Sequence, residues 1–333
     1  MAALSVLNPT LLDVTKRMAP DGSIDTIAEM LNQTNEILED MTFTEGNLPT
    51  GHRSTVRTGL PGVTWRKLYG GVQPSKSTTV QITDNCGMLE AYAEVDKALA
   101  DLNGNAAAFR LSEDRAFIEA MNIEFAQTLW YGNEGSEPEA FTGFAPRFNS
   151  TTAANAENIL SVASTGGGDT VRSAWLIGWS PQTCHGIYPK GSIAGLQMKD
   201  LGEQTTENID GSNGRAQIYR THYRWDVGLT VRDWRYIVRI QYDEGELTKN
   251  AASGADLIDL MAQALELPPS LKNARFCFYG NRTFKSFLRR QIVNKVGNST
   301  LSMDQVAGKH VMSFDGIPVK RSDQLAVLET RVA

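Results

Sequence analysis

Residues 43–85 read FTEGNLPTGHRSTVRTGLPGVTWRKLYGGVQPSKSTTVQITDN. Two parts of this stretch, Ser54-Thr55-Val56-Arg57-Thr58 and Thr78-Thr79-Val80-Gln81-Ile82, are rich in Thr and Val and alternate, which predicts two strands. Between them Gly59, Pro61, Gly62, Gly70, Gly71 and Pro74 break regular structure repeatedly. The expected shape is a long two-stranded ribbon with an irregular tip. Its apolar side chains are few: Val56, Leu60, Val63, Trp65, Leu68, Tyr69, Val72, Val80 and Ile82. An isolated two-stranded ribbon is marginal in water. The body of the protein or another chain must therefore cover it. Trp65, near the tip, is the candidate anchor for such a surface. Trp175, Trp179, Trp225 and Trp234 lie in strand-like text and Trp130 closes a helix, so these five are expected in the core.

On the N-terminal side, residues 1–20 read as an irregular arm ending in the turn signal Pro20-Asp21-Gly22. An amphipathic helix is expected at 24–41, where Ile27, Leu31, Thr34, Leu38 and Met41 recur at helical spacing. On the C-terminal side, Leu89, Tyr92, Val95, Leu99 and Leu102 predict a helix over 88–102. A third helix is expected at 112–131, with Ser112 as N-cap and Phe117, Met121, Phe125 and Leu129 on one face. The apolar hook Phe141–Phe148 and a linker-like stretch at 149–170 follow. Strands are expected at 174–179, 218–231 and 234–242, with a polar, Gly-rich stretch between the first two. A helix at 254–266 stops at Pro268-Pro269. A buried strand at 275–280, a helix at 282–292 and a strand–turn–strand at 312–323 complete the chain. Helices and strands come in blocks, so the class is α+β.

The chain has 333 residues, enough to bury a sizeable core, and a formal net charge of −6, the wrong sign for a protein that wraps nucleic acid. The cysteines Cys86, Cys184 and Cys277 are far apart and odd in number, which argues against a disulfide framework and fits a reducing compartment. No basic segment followed by an apolar core opens the sequence, and no apolar run reaches the length of a membrane span, so neither a signal peptide nor a membrane partner is expected. None of His52, His185, His222 and His310 pairs with another at metal-ligand spacing. Cys184-His185 are adjacent, whereas a nucleophile and its base come from different elements, so packing is the expected role. Gly166-Gly167-Gly168-Asp169 lacks the Lys-Ser/Thr of a phosphate loop. Asp13/Asp21 and Asp200/Glu203 sit in turn-like text and read as surface charge. No cofactor and no enzyme activity are expected.

Four stretches carry a resemblance to a known family. They are Leu7-Asn8-Pro9-Thr10 through Ile37–Met41; Asn47–Arg53 through Trp65–Val72; Gly132-Asn133 with Phe141-Thr142-Gly143-Phe144; and Phe314-Asp315-Gly316-Ile317-Pro318-Val319 with Ser322-Asp323. Together they resemble the major capsid proteins of tailed phages, with the Johnson-type (Hong Kong 97-like) fold, in the type of the short-tailed phage epsilon-fifteen. The resemblance implies an N-terminal arm and helix at 1–42 and an extended β-ribbon loop at 43–87 overlying a neighbouring subunit. It implies a peripheral domain with a spine helix at 88–149, an axial domain at 246–310 and a returning peripheral strand at 311–333. The β-rich region 150–245 is shared between peripheral and axial parts.

It further implies an icosahedral shell of many copies, in hexamers and pentamers, assembled in a bacterial host's cytoplasm as the virion capsid. That shell encloses double-stranded DNA without sequence-specific contacts. Portal, scaffolding and decoration proteins are further partners. The alternative is an encapsulin-like nanocompartment, which shares the fold but packages enzymes. Some relatives seal their shells with Lys–Asn isopeptide bonds. Lys67 and Lys76 lie in the ribbon, but no buried carboxylate to take a lysine proton is evident, so cross-linking is not expected. The inter-subunit residues expected from the ribbon are Arg53, Arg57, Trp65, Arg66, Lys67 and Lys76. Residues 43–83 carry five cations against Glu45, a net of +4, while 21–42 carry −6 and 88–102 carry −3. The ribbon's cations are therefore expected to pair with acids of an adjacent copy.

Overall fold

The computed structural model describes residues 35–101, 106–161, 171–207, 214–245, 247, 256–294, 301–306 and 309–332. The arm at 1–20, most of the expected helix at 24–41 and Gly166–Asp169 lie outside these residues. Two compact units are present, one holding 88–126 and 195–226 and the other 35–87, 127–194 and 227–332.

In the first unit, the helix expected at 88–102 is a strand. Strand β3 runs Thr78–Asp96, and only Lys97–Ala100 is helical. The reason lies in burial. Leu89, Ala91, Ala93 and Val95 are partly or fully buried and alternate with Met88, Glu90, Tyr92 and Glu94, which face outward. Leu89, Tyr92 and Val95 fit a helical period by coincidence, and pairing with a neighbouring strand overrides local propensity. Asp96 then caps the short helix, its carboxylate accepting from the Ala98 N–H at 2.8 Å. The neighbouring strand is β8, Arg215–Val231, whose other partner here is β7, Gln197–Glu207. Strand β7 and strand β6 (Cys184–Tyr188) occupy the stretch expected to be polar loop. Helix α3 runs Ala106–Tyr131, so it starts six residues before Ser112, which is inside it rather than at its cap. Its residues Phe109, Met121 and Phe125 are buried, and the Phe125 ring lies 4.4 Å from that of half-buried Trp225.

On the outward face of that sheet the charges are satisfied locally. Arg220 pairs with Glu94 at 2.6 Å and Arg224 with Glu90 at 3.4 Å. On the helix-covered side Arg110 meets Asp200 at 2.6 Å and reaches buried Thr221 at 3.3 Å, and Lys97 meets Glu203 at 2.7 Å.

The second unit is built on β5, Val171–Trp179. It is antiparallel to β9 (Ile237–Asp243) and to β10 (Arg275–Gly280), and β10 runs parallel to β13 (Ile317–Arg321). Side chains of β5 and β10 alternate between two covered faces, so both strands read as continuous apolar runs. Leu176, Phe276 and Phe278 pack with Leu257, Met261, Phe284 and Leu288 of helices Leu257–Glu266 and Arg282–Asn294. Asp256 caps the first of these and Asn281 the second, each through a side-chain oxygen accepting backbone N–H groups. On the opposite face Trp130, Phe144 and Phe148 pack on Trp175, and Trp130 also meets Tyr279. The hook thus supplies a fully buried aromatic layer.

The strand–turn–strand at the end is present as Lys309–Phe314 and β13 around Asp315-Gly316, at φ 48° and 77°. Positive φ at both positions is the requirement that Asp-Gly meets. Two buried ion clusters lie in this unit, around Glu329 and Asp40. Glu329 accepts from Arg239 at 2.6 Å, from Tyr131 at 2.8 Å and from Ser173. Asp40 meets Lys320 and Tyr279 at 2.7 Å each and Arg275 at 2.6 Å. The architecture is α+β.

Candidate functional site

Strand β2, Gly51–Gly59, pairs antiparallel with β3 from Gly51↔Asn85 to Gly59↔Thr78, with an irregularity between Arg57 and Gly59. Both strands exceed the lengths expected from Ser54–Thr58 and Thr78–Ile82. The register sorts side chains by face. Arg53, Thr55 and Arg57 stand opposite Thr83, Gln81 and Thr79 and are exposed, while His52, Ser54 and Val56 oppose Asp84, Ile82 and Val80. Arg53 and Arg57 therefore share the open face, Arg53 donating from Nε to Thr83 Oγ1 at 3.2 Å.

The root is held by several fixed contacts. Asn47 clamps Arg53 at both backbone groups, each at 2.7 Å. Arg147 donates to Asp84 Oδ1 at 2.8 Å and to the Leu229 carbonyl at 3.2 Å. Asn85 donates to Glu134, and the Gly191 N–H donates to Glu45 at 2.9 Å. Gly51 leaves no room for a side chain, since a Cβ there would fall 2.1 Å from the Asp84 carbonyl oxygen.

The tip, residues 60–77, has no helix or strand. A turn closes at Lys67–Gly70, the Gly70 N–H donating to the Lys67 carbonyl at 3.0 Å with Tyr69 at φ 60°. Ser75 Oγ reaches the Gly62 carbonyl at 2.7 Å. The apolar side chains find no cover: Trp65 is 104% exposed, Tyr69 103%, Val63 90% and Leu68 87%. Arg57, Arg66, Lys67 and Lys76 are exposed as well, and among the described residues none of them makes an ion pair. No carboxylate lies within ion-pair range of either ribbon lysine among those residues.

Beside the root, Thr55–Gly59 of β2, Leu60, Gln182, Arg232, Asp233, Trp234 and Arg235 line a groove of about 870 Å³. Its one carboxylate, Asp233, is held by Arg235 at 2.7 Å, which leaves Arg57 and Arg232 as uncompensated charge. Trp234 is half-buried on its wall rather than in the core. Sequence reasoning missed this groove and the Arg147–Asp84 clamp. Only tertiary proximity assembles them, and no spacing signals it.

Cys184 and His185 are both buried on β6. As strand neighbours they point to opposite faces. Burial pushes the Cys184 thiol up and the His185 imidazole down to about 4. This arrangement packs and does not make a nucleophile. Of the acids expected to meet the ribbon from a neighbouring copy, Asp40 is buried in its own cluster. Glu90 and Glu94 are paired within their own unit.

A family model described as "Major capsid protein GP7" matches residues 19–333. Among solved structures, a chain of bacteriophage Epsilon15 is similar at 36% identity, with a TM-score of 0.79 over 100% of this chain and 99% of that one. The bacteriophage JBD30 capsid is similar at 9% identity, with a TM-score of 0.49 over 96% and 100% of the two chains. The SrpI encapsulin of Synechococcus elongatus gives 10% identity and a TM-score of 0.42 over 66% and 91%. No curated protein matches.

Proposed function

The chain belongs to the major capsid protein GP7 family, and from that membership we propose that residues 43–87 are the arm by which each copy holds its neighbour. The protein is a phage major capsid protein of the Johnson-type fold, and many copies of it build the icosahedral shell of the virion. One observation carries the proposed role of the arm: a fixed root ends in a tip whose Trp65, Leu68 and Tyr69 have nothing to pack against in their own chain. A tip so apolar is stable in water only when another surface takes it up. Trp65 is the anchor, and Arg53, Arg57, Arg66, Lys67 and Lys76 set its approach by charge.

The rest of the assignment follows the family pattern. Residues 1–42 serve as N-terminal arm, 88–149 as peripheral domain, 246–310 as axial domain and 311–333 as the strand returning to the periphery, with 150–245 shared. The shell forms in the host cytoplasm from hexamers and pentamers, with portal, scaffolding and decoration proteins as partners. It encloses double-stranded DNA without reading its sequence and catalyses no reaction. Weak contacts repeated on every subunit close the lattice.

The test replaces residues 60–77 by a two-residue Asn-Gly turn joining Gly59 to Thr78. Negative-stain microscopy and sedimentation of the purified protein should show a folded subunit that no longer forms shells. Shells at the parent's yield from the shortened chain would refute the role of the arm.

A further inference from the structure

The root of the ribbon contains a pair of histidines that no part of the assembly argument uses. His52, on β2, meets His185, on β6, with ring centroids 6.0 Å apart and planes at 76°. The Nδ1 atom of each ring is buried and has no hydrogen-bond partner within the described residues. We infer that this contact is an acid-sensitive fastening: neutral, it seats the ribbon strand on the body, and protonated on both rings, it lets the strand go.

The surroundings explain the direction. Asp84 stands opposite His52 in the β2–β3 register, but its Oδ1 already binds Arg147 at 2.8 Å. Arg232, beyond β8, is the guanidinium that acts on both rings. Cys184, the neighbour of His185 on β6, points to the opposite face, and burial keeps its thiol neutral. Before either ring takes a proton the site therefore holds one guanidinium, Arg232, against one carboxylate, Asp84, that is already paired with Arg147. A first imidazolium adds to the charge of Arg232, and a second stands about a ring's width from the first. Burial, followed by Arg232, lowers the proton affinity of His52, with Asp84 acting weakly the other way. Burial, followed by His52 and Arg232, lowers that of His185, against smaller help from the Ser180 backbone and Asp84. Protons forced onto the pair are best accommodated by moving β2 away from β6, which admits water.

This inference rests on the reading of the ribbon as an arm, because only then does releasing its root regulate assembly. The experiment is hydrogen–deuterium exchange of the unassembled full chain between pH 7 and pH 4, corrected for the intrinsic pH dependence of exchange. Protection of residues 51–57 should fall at least tenfold as pH drops from 6 to 4, while peptides covering 171–179 and 275–280 stay protected. In the His52→Gln, His185→Gln double variant the loss should vanish. His52→Gln alone, at a half-buried position, should reduce it if the double variant does not fold. Unchanged protection of 51–57 down to pH 4 would overturn the inference, as would equal loss in the glutamine variants or loss in step with 171–179. Because the measurement needs no neighbouring copy, it can fail while the arm's role in shell formation stands.

Discussion

Replacing Trp65 by Ala separates the fold of one copy from the bond between copies. In the single chain this ring is fully exposed at 104%, so its removal should change subunit stability by no more than about 0.5 kcal/mol. Covered by a neighbour, an aromatic side chain loses roughly 150–250 Å² of surface. At about 25 cal/mol per Å² that is a gross gain of roughly 4–6 kcal/mol. Ordering the tip consumes part of it, leaving about 2–4 kcal/mol, the range of interface anchors. The concentration needed for assembly should then rise roughly thirty- to several-hundredfold. Sedimentation velocity across a dilution series reads that shift, and thermal unfolding of the free subunit reads the fold. Trp175→Ala is the contrast: its ring is fully buried against Trp130, Phe144 and Phe148, and its loss should cost the fold about 3–5 kcal/mol. Equal losses of soluble protein in the two variants, or assembly of Trp65→Ala at the parent's concentration, would refute the reasoning.

Charge reversal of Arg57 and Arg66 to Glu should weaken assembly most at low salt, each pair being worth about 0.2–1 kcal/mol, with the defect shrinking by 0.5 M salt. A defect independent of salt in turbidity or sedimentation would count against an electrostatic approach. Glu329→Ala leaves Arg239 buried without its carboxylate and should destabilise the subunit by about 3–5 kcal/mol in urea unfolding, whereas a loss below about 1 kcal/mol would show the cluster to be dispensable. His185 binds its proton less readily folded, at about 4, than unfolded, at about 6.5. Its contribution is therefore fully present above pH 6.5 and lost as pH falls toward 4, amounting to about 3 kcal/mol. Urea unfolding of His185→Gln beside the parent at pH 7 and pH 4.5 should show a flatter pH dependence in the variant, and parallel curves would contradict this.

The ribbon was legible because alternation and Gly/Pro punctuation are local signals, and Asp315-Gly316 because a positive-φ turn narrows the residues that fit. The β10 strand at 275–280 was legible for the same reason, being a short apolar run between turn signals. Residues 88–96 were not. Met-Leu-Glu-Ala-Tyr-Ala-Glu-Val has helix-favouring composition, and its apolar spacing satisfies both periods; only the neighbouring strand β8 decides between them. Strand β7 was hidden for a related reason. Gln197–Glu207 is almost all polar because most of it is exposed or half-exposed, so no apolar face announces it. In the candidate site, the exposed tip could be inferred from a deficit of partners. Its root could not, since Asn47, Asp84, Arg147 and Arg232 converge from separate parts of the chain. The acids of 88–102 looked available for a neighbour only while their local partners Arg220 and Arg224 were unknown.

The contrast between β5 and the ribbon has a mechanical consequence. Strand β5 has packed side chains on both faces, and a close-packed layer of that kind resists deformation. Residues 51–59 and 78–85 form a single pair of strands, and past the root neither face has a second layer. Bending stiffness rises steeply with thickness, so if the ribbon joins two copies as proposed, strain between them concentrates in it and leaves the body nearly undistorted. A curved surface tiled by one kind of chain needs such a compliant joint. The angle between neighbours can then vary from place to place, while the tile itself keeps one shape.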